Sequence, residues 1–295
     1  MDIGRIGIWT AAFDLQPAAR AQEHAAELEA LGYGAIWFPE AMGREAFTNA
    51  GVLLAGTRRI AIATGIANIW VRDATAMAAA QKTLAEAYPD RFLLGIGVSH
   101  APLVGMRGHD YAKPLSAMAR YLDAMDQAPF VALAPTTAPK RIIAALAPKM
   151  LALAAERSWG SHTYFVPPEH TARARAALGA EALLAPEQAV VLETDATTAR
   201  TIARGHMAMY LALPNYVNNL ARLGFGPDDV ASGGSDRLVD AIVAWGDLEA
   251  IVRRVRAHHD AGANHVCVQV LDADPRALPL RQWRELAPAL LGQGR

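Results

Sequence analysis

Short apolar runs alternate with alanine-rich stretches along this chain, and this alternation limits the fold more than any other feature of the sequence. Eight runs have the character of fully buried parallel strands. They are residues 5–9, 35–38, 60–66, 92–98, 141–146, 161–165, 189–192 and 266–271. Helical spacing of apolar residues lies between them, for example at 17–31, 74–87, 148–156 and 248–261. The order predicts an α/β fold with parallel strands.

The predicted helix boundaries carry suitable capping residues. Gly32 and Gly262 stand where helix C-caps are expected, and Asp73, Asp195 and Asp247 stand where N-caps are expected. Eight strand–helix units favour closure into a (β/α)8 barrel, although an open doubly wound sheet alternates in the same way. A chain of 295 residues fits one such domain, so we expect residues 1–295 to form a single barrel.

The connection after the seventh predicted strand is longer than the others. Residues 194–264 contain at least three helix-like segments, with breaks at Pro214, Pro227 and residues 232–235. In a barrel this connection leaves from the C-terminal face, where active sites lie, so we expect a helical insertion that walls or covers the pocket. The alternative is a helical decoration with no role in the site.

Composition and charge exclude several classes of protein. Hydrophobic residues make up 53% of the chain and charged residues 19%, which is enough apolar surface for a large core. The formal net charge of −1 gives no reason to expect nucleic acid or an anionic membrane as a partner. Cys267 is the single cysteine, so no intramolecular disulfide can form. Without a signal-peptide pattern or an apolar span of about 18 residues, we expect a soluble cytoplasmic protein.

Motifs of several common enzyme classes are missing from the sequence. There is no Gly-x-Gly-x-x-Gly in a first βα turn, no Gly-Lys-Ser loop and no Gly-x-Ser-x-Gly elbow. A Rossmann dehydrogenase, an NTPase and a serine hydrolase are therefore unsupported. His258 and His259 stand beside Asp260, but adjacent helical positions point in different directions, so we predict no metal site.

Several segments resemble, in order and spacing, the luciferase-like monooxygenase superfamily. They are residues 31–37, 63–72, 79–84, 88–97, 145–150 and 164–170. The pattern Gly65-Ile-Ala-Asn68 with Arg72 is most similar to members that use coenzyme F420. The resemblance spans essentially the whole chain. It implies a (β/α)8 TIM barrel of the bacterial-luciferase-like type, with a helical insertion after strand 7.

The resemblance also implies an oxidoreductase that transfers a hydride between coenzyme F420 and a small organic substrate. The alternative within the family is an FMN-dependent monooxygenase. A third reading is a catalytically idle barrel that binds a deazaflavin, because Ala41 and Ala147 stand where relatives carry functional residue types. Similar proteins commonly form homodimers, so we expect a homodimer here.

A cofactor site at the carboxyl ends of the strands follows from the same resemblance. Gly65, Gly95 and Gly97 lack side chains where a planar ring could approach the backbone, and a cis peptide is expected between Gly65 and Ile66. Asn68 could bond the pyrimidine part of the ring, and the helix start at 147–150 could hold a phosphate. Tight strand packing is the alternative role for the glycines. The predicted cofactor-binding residues are Gly65, Ile66, Asn68, Gly97, Ser99, Ala147, Pro148, Lys149, Met150, His162 and Tyr164.

His100 and Glu40 are the candidates for catalytic proton transfer. Glu40 follows the second predicted strand and His100 the fourth, so a barrel brings both to one mouth. Relatives carry an acid–histidine pair where this chain has Glu40-Ala41, and both candidates have ordinary structural alternatives. Trp9 and Trp70 are predicted to line the substrate pocket, although aromatic residues near strand ends also fill barrel cores.

Overall fold

Eight parallel strands close into a barrel in the computed structural model, which describes residues 1–292. The strands are β1 (Ile6–Trp9), β2 (Ala35–Phe38), β3 (Ala61–Thr64), β4 (Phe92–Gly97), β5 (Lys140–Ala144), β6 (Gly160–Thr163), β7 (Leu183–Val191) and β8 (Val266–Val270). Each strand pairs in parallel with the next, and β8 pairs with both β7 and β1. The predicted (β/α)8 barrel is therefore confirmed, and an open sheet is ruled out.

Helices connect successive strands around the outside of the ring. They are α1 (Ala18–Leu31), α2 (Ala46–Ala55), α3 (Ala74–Ala87), α4 (Ala101–Gly105), α5 (Pro114–Asp126), α6 (Pro148–Arg157), α7 (Pro168–Leu178), α8 (Ala196–Leu211), α9 (Pro214–Arg222), α10 (Pro227–Val230), α11 (Asp236–Ile242), α12 (Leu248–Asp260) and α13 (Leu280–Leu291). Two short strands, Ala67–Asn68 and Ala244–Trp245, pair in parallel with the C-terminal ends of β4 and β7. Helices α8 to α11 all follow β7, as the sequence predicts for the helical insertion.

Side chains at every second strand position fill the inside of the barrel. The interior cluster consists of Ile3, Trp9, Ala35, Trp37, Ala61, Ala63, Leu93, Ile142, Leu183, Ala185 and Cys267. Trp37 is fully buried and donates through Nε1 to His265 Nε2 at 3.0 Å. Continuing the same alternation toward the C-terminal ends of the strands places Gly65, Gly97, Tyr164 and Gln269 in the top inner layer.

Capping residues lie at the helix starts and ends that the sequence predicts. Asp73, Asp195 and Asp247 each accept a hydrogen bond from the backbone N–H three residues ahead, at 2.8–2.9 Å. Gly32 ends α1 with a φ of +97°, in the left-handed region that glycine adopts without a steric penalty. These local contacts satisfy backbone groups that the helices leave without partners.

Strand β7 is longer than predicted, because it begins at Leu183 and not at residue 189. Pro186, Glu187 and Gln188 interrupt the apolar pattern, so the sequence points to a loop there. In the structure Glu187 and Gln188 are both buried. The amide of Gln188 donates to the carbonyls of Ala189 and Ile242 at 2.7 and 2.9 Å. Pairing within the sheet therefore overrides the polar character of this segment.

The helices that follow β7 form a second apolar cluster. Tyr210 of α8 and Tyr216 of α9 belong to it, together with Phe165, which follows β6, and Ala189 of β7. The insertion thus packs against the barrel at the ends of β6 and β7. Its role as a wall of a pocket, and the extent of the single domain, stay predictions. None of the helices in the described part of the chain combines the length and apolar character that crossing a membrane requires.

Replacing Gly95 with alanine is expected to destabilise the barrel. An added Cβ would collide with the backbone carbonyl of Thr64, which cannot move without shifting β3. We expect Gly95→Ala to lower the free energy of unfolding by about 3 kcal/mol, at the upper end of overpacking effects. Gly105→Ala is the matched control, because nothing lies within 4 Å of its added Cβ. Urea denaturation of both variants measures the difference, and similar unfolding midpoints would contradict the expectation.

Candidate functional site

Gly65 lies at the mouth of the barrel, directly after β3. Its N–H donates to the carbonyl of Phe38 at 2.7 Å, and its carbonyl accepts from Trp9 Nε1 at 3.1 Å. A Cβ at this position would lie 2.8 Å from Trp9 Nε1 and 3.3 Å from His162 Nε2. The peptide bond to Ile66 is cis, as predicted. The close neighbours leave no room for a side chain at this point of the mouth.

The two glycines of β4 serve different purposes. Gly95 allows β3 to pack closely, since the Thr64 hydroxyl donates to the Gly95 carbonyl at 2.7 Å. A Cβ on Gly97 would instead meet the side chain of Ile66 at 2.8 Å. A side chain at either glycine would therefore collide with residues already packed there, beside the Gly65–Ile66 peptide. We call the part of the mouth formed by Gly65, Ile66 and Gly97 the glycine shelf.

His162 points into the barrel below the glycine shelf. Its ring stacks on Trp37, with centroids 4.9 Å apart, and its Nδ1 lies 2.7 Å from the carbonyl of Ala185. Because a carbonyl only accepts, Nδ1 carries the hydrogen and Nε2 has a free lone pair. Burial lowers the pKa of His162 to about 4, against the opposing effect of the Ala185 carbonyl. Nε2 is buried and has no hydrogen-bond partner among residues 1–292.

Glu40 is the centre of a buried hydrogen-bond network. Its carboxylate accepts from the N–H groups of Ala46 and Asn68 at 3.1 and 2.8 Å, and Arg72 donates to both oxygens, to one of them at 2.9 Å. The Glu40 side chain is only 3% exposed. Donors occupy the acceptor positions of this carboxylate, which argues against the predicted acid–base role. The geometry favours a structural role that joins the loop after β2 to the segment after β3.

Asn68 and Trp70 continue this network toward β4. The Asn68 side-chain oxygen accepts from the N–H of Trp70 at 2.9 Å, and Trp70 Nε1 donates to the carbonyl of Val98 at 3.0 Å. The Trp70 indole is therefore fixed across the loops that follow β3 and β4. The Asn68 oxygen is used within the protein, so only its side-chain NH2 group could serve a ligand.

His100 lies between the end of β4 and the inserted helix α9. Its ring is 5.4 Å from that of Tyr216, measured between centroids. Burial lowers the pKa of His100, and a hydrogen bond with Asn215 acts in the opposite direction. Nδ1 is buried without a partner in the described part of the chain. The preceding Ser99 has a φ of +59°, a conformation that non-glycine residues rarely adopt.

The predicted phosphate-binding segment forms the start of α6. Ala147 is the N-cap, without a side-chain hydrogen bond, and Pro148 is the first helical residue. Pro148 and Lys149 are exposed, while Met150 is half-buried and donates its N–H to the carbonyl of Ala147 at 3.0 Å. Because Pro148 has no N–H and the Met150 N–H is already used, the segment offers the backbone N–H and the exposed side chain of Lys149.

A cluster of tyrosines forms the wall of the mouth between β6 and the insertion. Tyr164 follows β6, and its ring centroid lies 5.2 Å from those of Trp9 and Tyr210. The Tyr164 hydroxyl is 2.8 Å from that of Tyr210 and 2.7 Å from Gln269 Oε1. Burial holds the pKa values of Tyr164, Tyr210 and Tyr216 above their ordinary range, so the hydroxyls stay protonated at neutral pH.

Glu187 is a buried carboxyl group in the same wall that the sequence analysis did not single out. Its Oε2 accepts from the N–H of Phe165 at 3.2 Å, whereas Oε1 has no partner among residues 1–292. Burial raises its pKa to about 8, and the Phe165 N–H opposes the shift. Glu187 is therefore a neutral acid at pH 7. An acidic residue within an otherwise apolar strand run was the available signal.

The two adjacent histidines of α12 have separate partners. His258 is fully buried, with Nδ1 2.8 Å from the Thr171 hydroxyl and Nε2 2.8 Å from Gln188 Oε1. His259 Nδ1 lies 3.0 Å from the carbonyl of Ala263. They tie α12 to different neighbours. Within residues 1–292 no group of three or more histidine, cysteine or acidic side chains is arranged to hold a metal ion.

A closed parallel barrel with a polar and aromatic mouth at the carboxyl ends of its strands is the architecture of (β/α)8 enzymes. The family model of the luciferase-like monooxygenases matches residues 5–265. This chain therefore belongs to the luciferase-like monooxygenase family.

One curated relative and several solved structures are similar to the chain. A Mycobacterium tuberculosis protein named as a coenzyme F420-dependent oxidoreductase is 32% identical over 124 residues, which are 42% of this chain. The match spans only 35% of the length of that relative.

The similarity to solved structures extends over the whole fold. An F420-dependent secondary alcohol dehydrogenase in complex with an F420-acetone adduct has a TM-score of 0.79 and 16% identity, over 97% of this chain and 99% of its own. A coenzyme F420-dependent tetrahydromethanopterin reductase from Methanopyrus kandleri has a TM-score of 0.74 and 13% identity, with both chains fully covered at 100%. The oxygenating constituent of a Pseudomonas putida diketocamphane monooxygenase, in complex with FMN, has a TM-score of 0.71 and 14% identity, over 97% and 96%. At these identities the likeness concerns the fold.

Removing Arg72 is expected to destabilise the mouth strongly. Arg72→Met leaves the Glu40 carboxylate buried without its cationic partner, so we expect a loss of about 3 kcal/mol in the free energy of unfolding. Arg20→Met is the control, because the Arg20–Glu23 pair has side chains 59% and 57% exposed and should contribute less than about 1 kcal/mol. Chemical denaturation of both variants measures the two losses. Equal losses would show that the Glu40 network does not stabilise the fold.

Glu187 is expected to make stability depend on pH. Its pKa rises from an ordinary 4.5 to about 8 in the folded chain, so the folded state keeps a proton that the unfolded state releases. Its contribution is therefore fully present below pH 4.5 and is lost as pH rises through about 8. Thermal unfolding of Glu187→Gln should vary less with pH over this interval than that of the wild type. The exposed Glu181→Gln variant should follow the wild type, and parallel curves for all three would refute the neutral acid.

Proposed function

We propose that this chain is an F420-dependent oxidoreductase that transfers a hydride between the deazaflavin and a small organic substrate. The observation that carries the proposal is the glycine shelf, where Gly65 and Gly97 carry no side chain of their own, so that a planar ring could approach the backbone at the mouth. The name of the curated relative supports F420 as the cofactor. The fold neighbours include F420-dependent enzymes, which agrees with this choice.

The residues present fit a planar, hydrogen-bonding ring with a charged tail. Gly65, Ile66 and Gly97 would lie against the ring, and the NH2 group of Asn68 would donate to its pyrimidine part. The buried Nε2 of His162 has no partner among residues 1–292 and lies beside the shelf. The exposed start of α6, residues 147–150, would hold the phosphate of the tail, with Ser99 nearby in the loop after β4. When bound, the deazaflavin supplies the hydride chemistry.

His100 is the proposed group for proton transfer to or from the substrate. It lies at the mouth beside Tyr216, and burial favours its neutral form, which can accept a proton through a free ring nitrogen. Glu40 is proposed instead as a positioning residue, because it holds the N–H of Asn68 and the Arg72 guanidinium. Trp9 and Trp70 would border the substrate pocket, and the insertion would close it with Tyr210 and Tyr216.

An FMN-dependent monooxygenase is the second candidate, since one similar fold is that of an FMN-bound monooxygenase. An idle deazaflavin-binding barrel is a third, because Ala41 stands beside Glu40 where relatives carry a histidine. We also propose that the protein forms a homodimer, as the family resemblance implies.

Equilibrium titration of the purified protein with F420 and with FMN, followed by ring fluorescence, separates the two cofactors. We expect F420 to bind at least about tenfold more tightly than FMN, a difference of about 1.4 kcal/mol. Gly65→Ala should weaken F420 binding, because its Cβ would collide with Trp9 and His162 and shift the residues around the shelf, while Gly105→Ala should not. Tighter FMN binding would favour the monooxygenase, and binding of neither would refute the cofactor assignment. Tight F420 binding without turnover in a substrate screen would support the idle barrel.

A further inference from the structure

A chain of hydrogen bonds connects the inserted helix α8 to β8 across the mouth. The hydroxyls of Tyr210 and Tyr164 lie 2.8 Å apart, and the Tyr164 hydroxyl lies 2.7 Å from Gln269 Oε1. A side-chain carbonyl oxygen only accepts, so Tyr164 donates its single proton to Gln269. The bond between the tyrosines must therefore be donated by Tyr210. Burial raises the pKa of both hydroxyls, so Tyr210 keeps the proton that it donates to Tyr164.

The chain determines how the Gln269 side chain is oriented. With Oε1 bonded to Tyr164, the NH2 group on the other side of the amide points away from the tyrosine. Gln269 is half-buried near the C-terminal end of β8, in the inward position two residues after Cys267. Among residues 1–292, Nε2 donates no hydrogen bond to the protein. Two N–H groups of fixed direction are thus offered at the mouth.

Packed side chains link Gln269 to the glycine shelf across the mouth. The Tyr164 ring packs on Trp9, with centroids 5.2 Å apart, and Trp9 Nε1 donates to the Gly65 carbonyl at 3.1 Å. A continuous set of contacts therefore runs from Gln269 through Tyr164 and Trp9 to Gly65. Glu187, next to this set, is a neutral acid at pH 7 and brings no full negative charge that would repel an electron-rich ligand atom.

We propose that Gln269 is a ligand-binding residue whose Nε2 donates a hydrogen bond to a carbonyl oxygen of the ring system bound at the mouth. Tyr164 and Tyr210 are the positioning residues that hold its amide in the donating orientation. The inference rests on the proposed function, since it takes the deazaflavin as the bound ring. It extends that proposal to a residue of β8 and makes an inserted helix part of ligand recognition.

Gln269→Glu tests the donor directly. The substitution keeps an oxygen for Tyr164 and nearly the same shape, but it replaces the NH2 group with an acceptor. We expect the dissociation constant for F420 to rise at least about tenfold at pH 7.5, and the shift of the ring absorbance on binding to decrease. Tyr164→Phe and Tyr210→Phe leave the amide in place but release its orientation, so each should raise the dissociation constant by a smaller factor, about threefold.

Tyr33→Phe is the matched control. Tyr33 is a buried tyrosine before β2, at the opposite end of the barrel, whose hydroxyl donates to the Trp283 carbonyl at 2.8 Å. It should lose stability but keep the wild-type affinity and ring absorbance. If the wild type binds F420 and Gln269→Glu binds it equally well with an unchanged absorbance shift, the role of Gln269 is refuted. If Tyr33→Phe weakens binding as much as Gln269→Glu does, the effect is general and the inference also fails. A wild type that does not bind F420 refutes the proposed function itself.

Discussion

Closure of the eight strands into one ring is the constraint on which the rest of the structure depends. Because β8 pairs with both β1 and β7, no barrel strand is left without a partner on either side, and every second side chain must fit a narrow interior. Trp9 and Trp37 fill much of that space from β1 and β2. The neighbouring β3 and β4 then have room only for alanine and glycine at several inward positions. The glycine shelf is thus a consequence of barrel packing before it is a feature of any binding site.

The buried carboxylate of Glu40 and its partners hold the loops above the ring of strands together. Glu40 is buried at the end of β2, so its carboxylate needs both a counter-charge and hydrogen-bond donors. Arg72 supplies the charge, while the N–H groups of Ala46 and Asn68 supply further donors from two different loops. Asn68 therefore owes its position to Glu40, whose own backbone N–H also donates to the carbonyl of Ile66 in the shelf at 3.2 Å. A catalytic residue would need a free acceptor position, which this network does not leave to Glu40.

Local sequence patterns predicted the fold and part of the site, but they could not predict polar contacts between residues that are far apart in the sequence. The alternation of apolar runs and the caps Asp73 and Asp247 express interactions within a few residues, so a single sequence reveals them. The start of β7 was misplaced because Glu187 is polar, and polarity usually indicates exposure. Arg72 is 32 positions from Glu40, and Tyr164 is 105 positions from Gln269, so nothing local signals these pairs. The glycine shelf was predicted from the family resemblance, because the residues that require a glycine at position 65, Trp9 and His162, are distant from it in sequence.

The insertion after β7 has a different relation to the barrel from that of the other connections. Most helices contact strands through apolar side chains, which tolerate small shifts, but α8 also reaches the mouth through one hydroxyl pair of fixed polarity. A small displacement of α8 would lengthen the Tyr210–Tyr164 bond, and the Tyr164 hydroxyl would then be held less firmly in its position against Gln269. The orientation of a β8 side chain therefore depends on a helix encoded about 60 residues earlier, as non-local hydrogen-bond networks allow. In such a molecule, sequence changes in α8 can alter what the mouth recognises without changing a residue of the barrel.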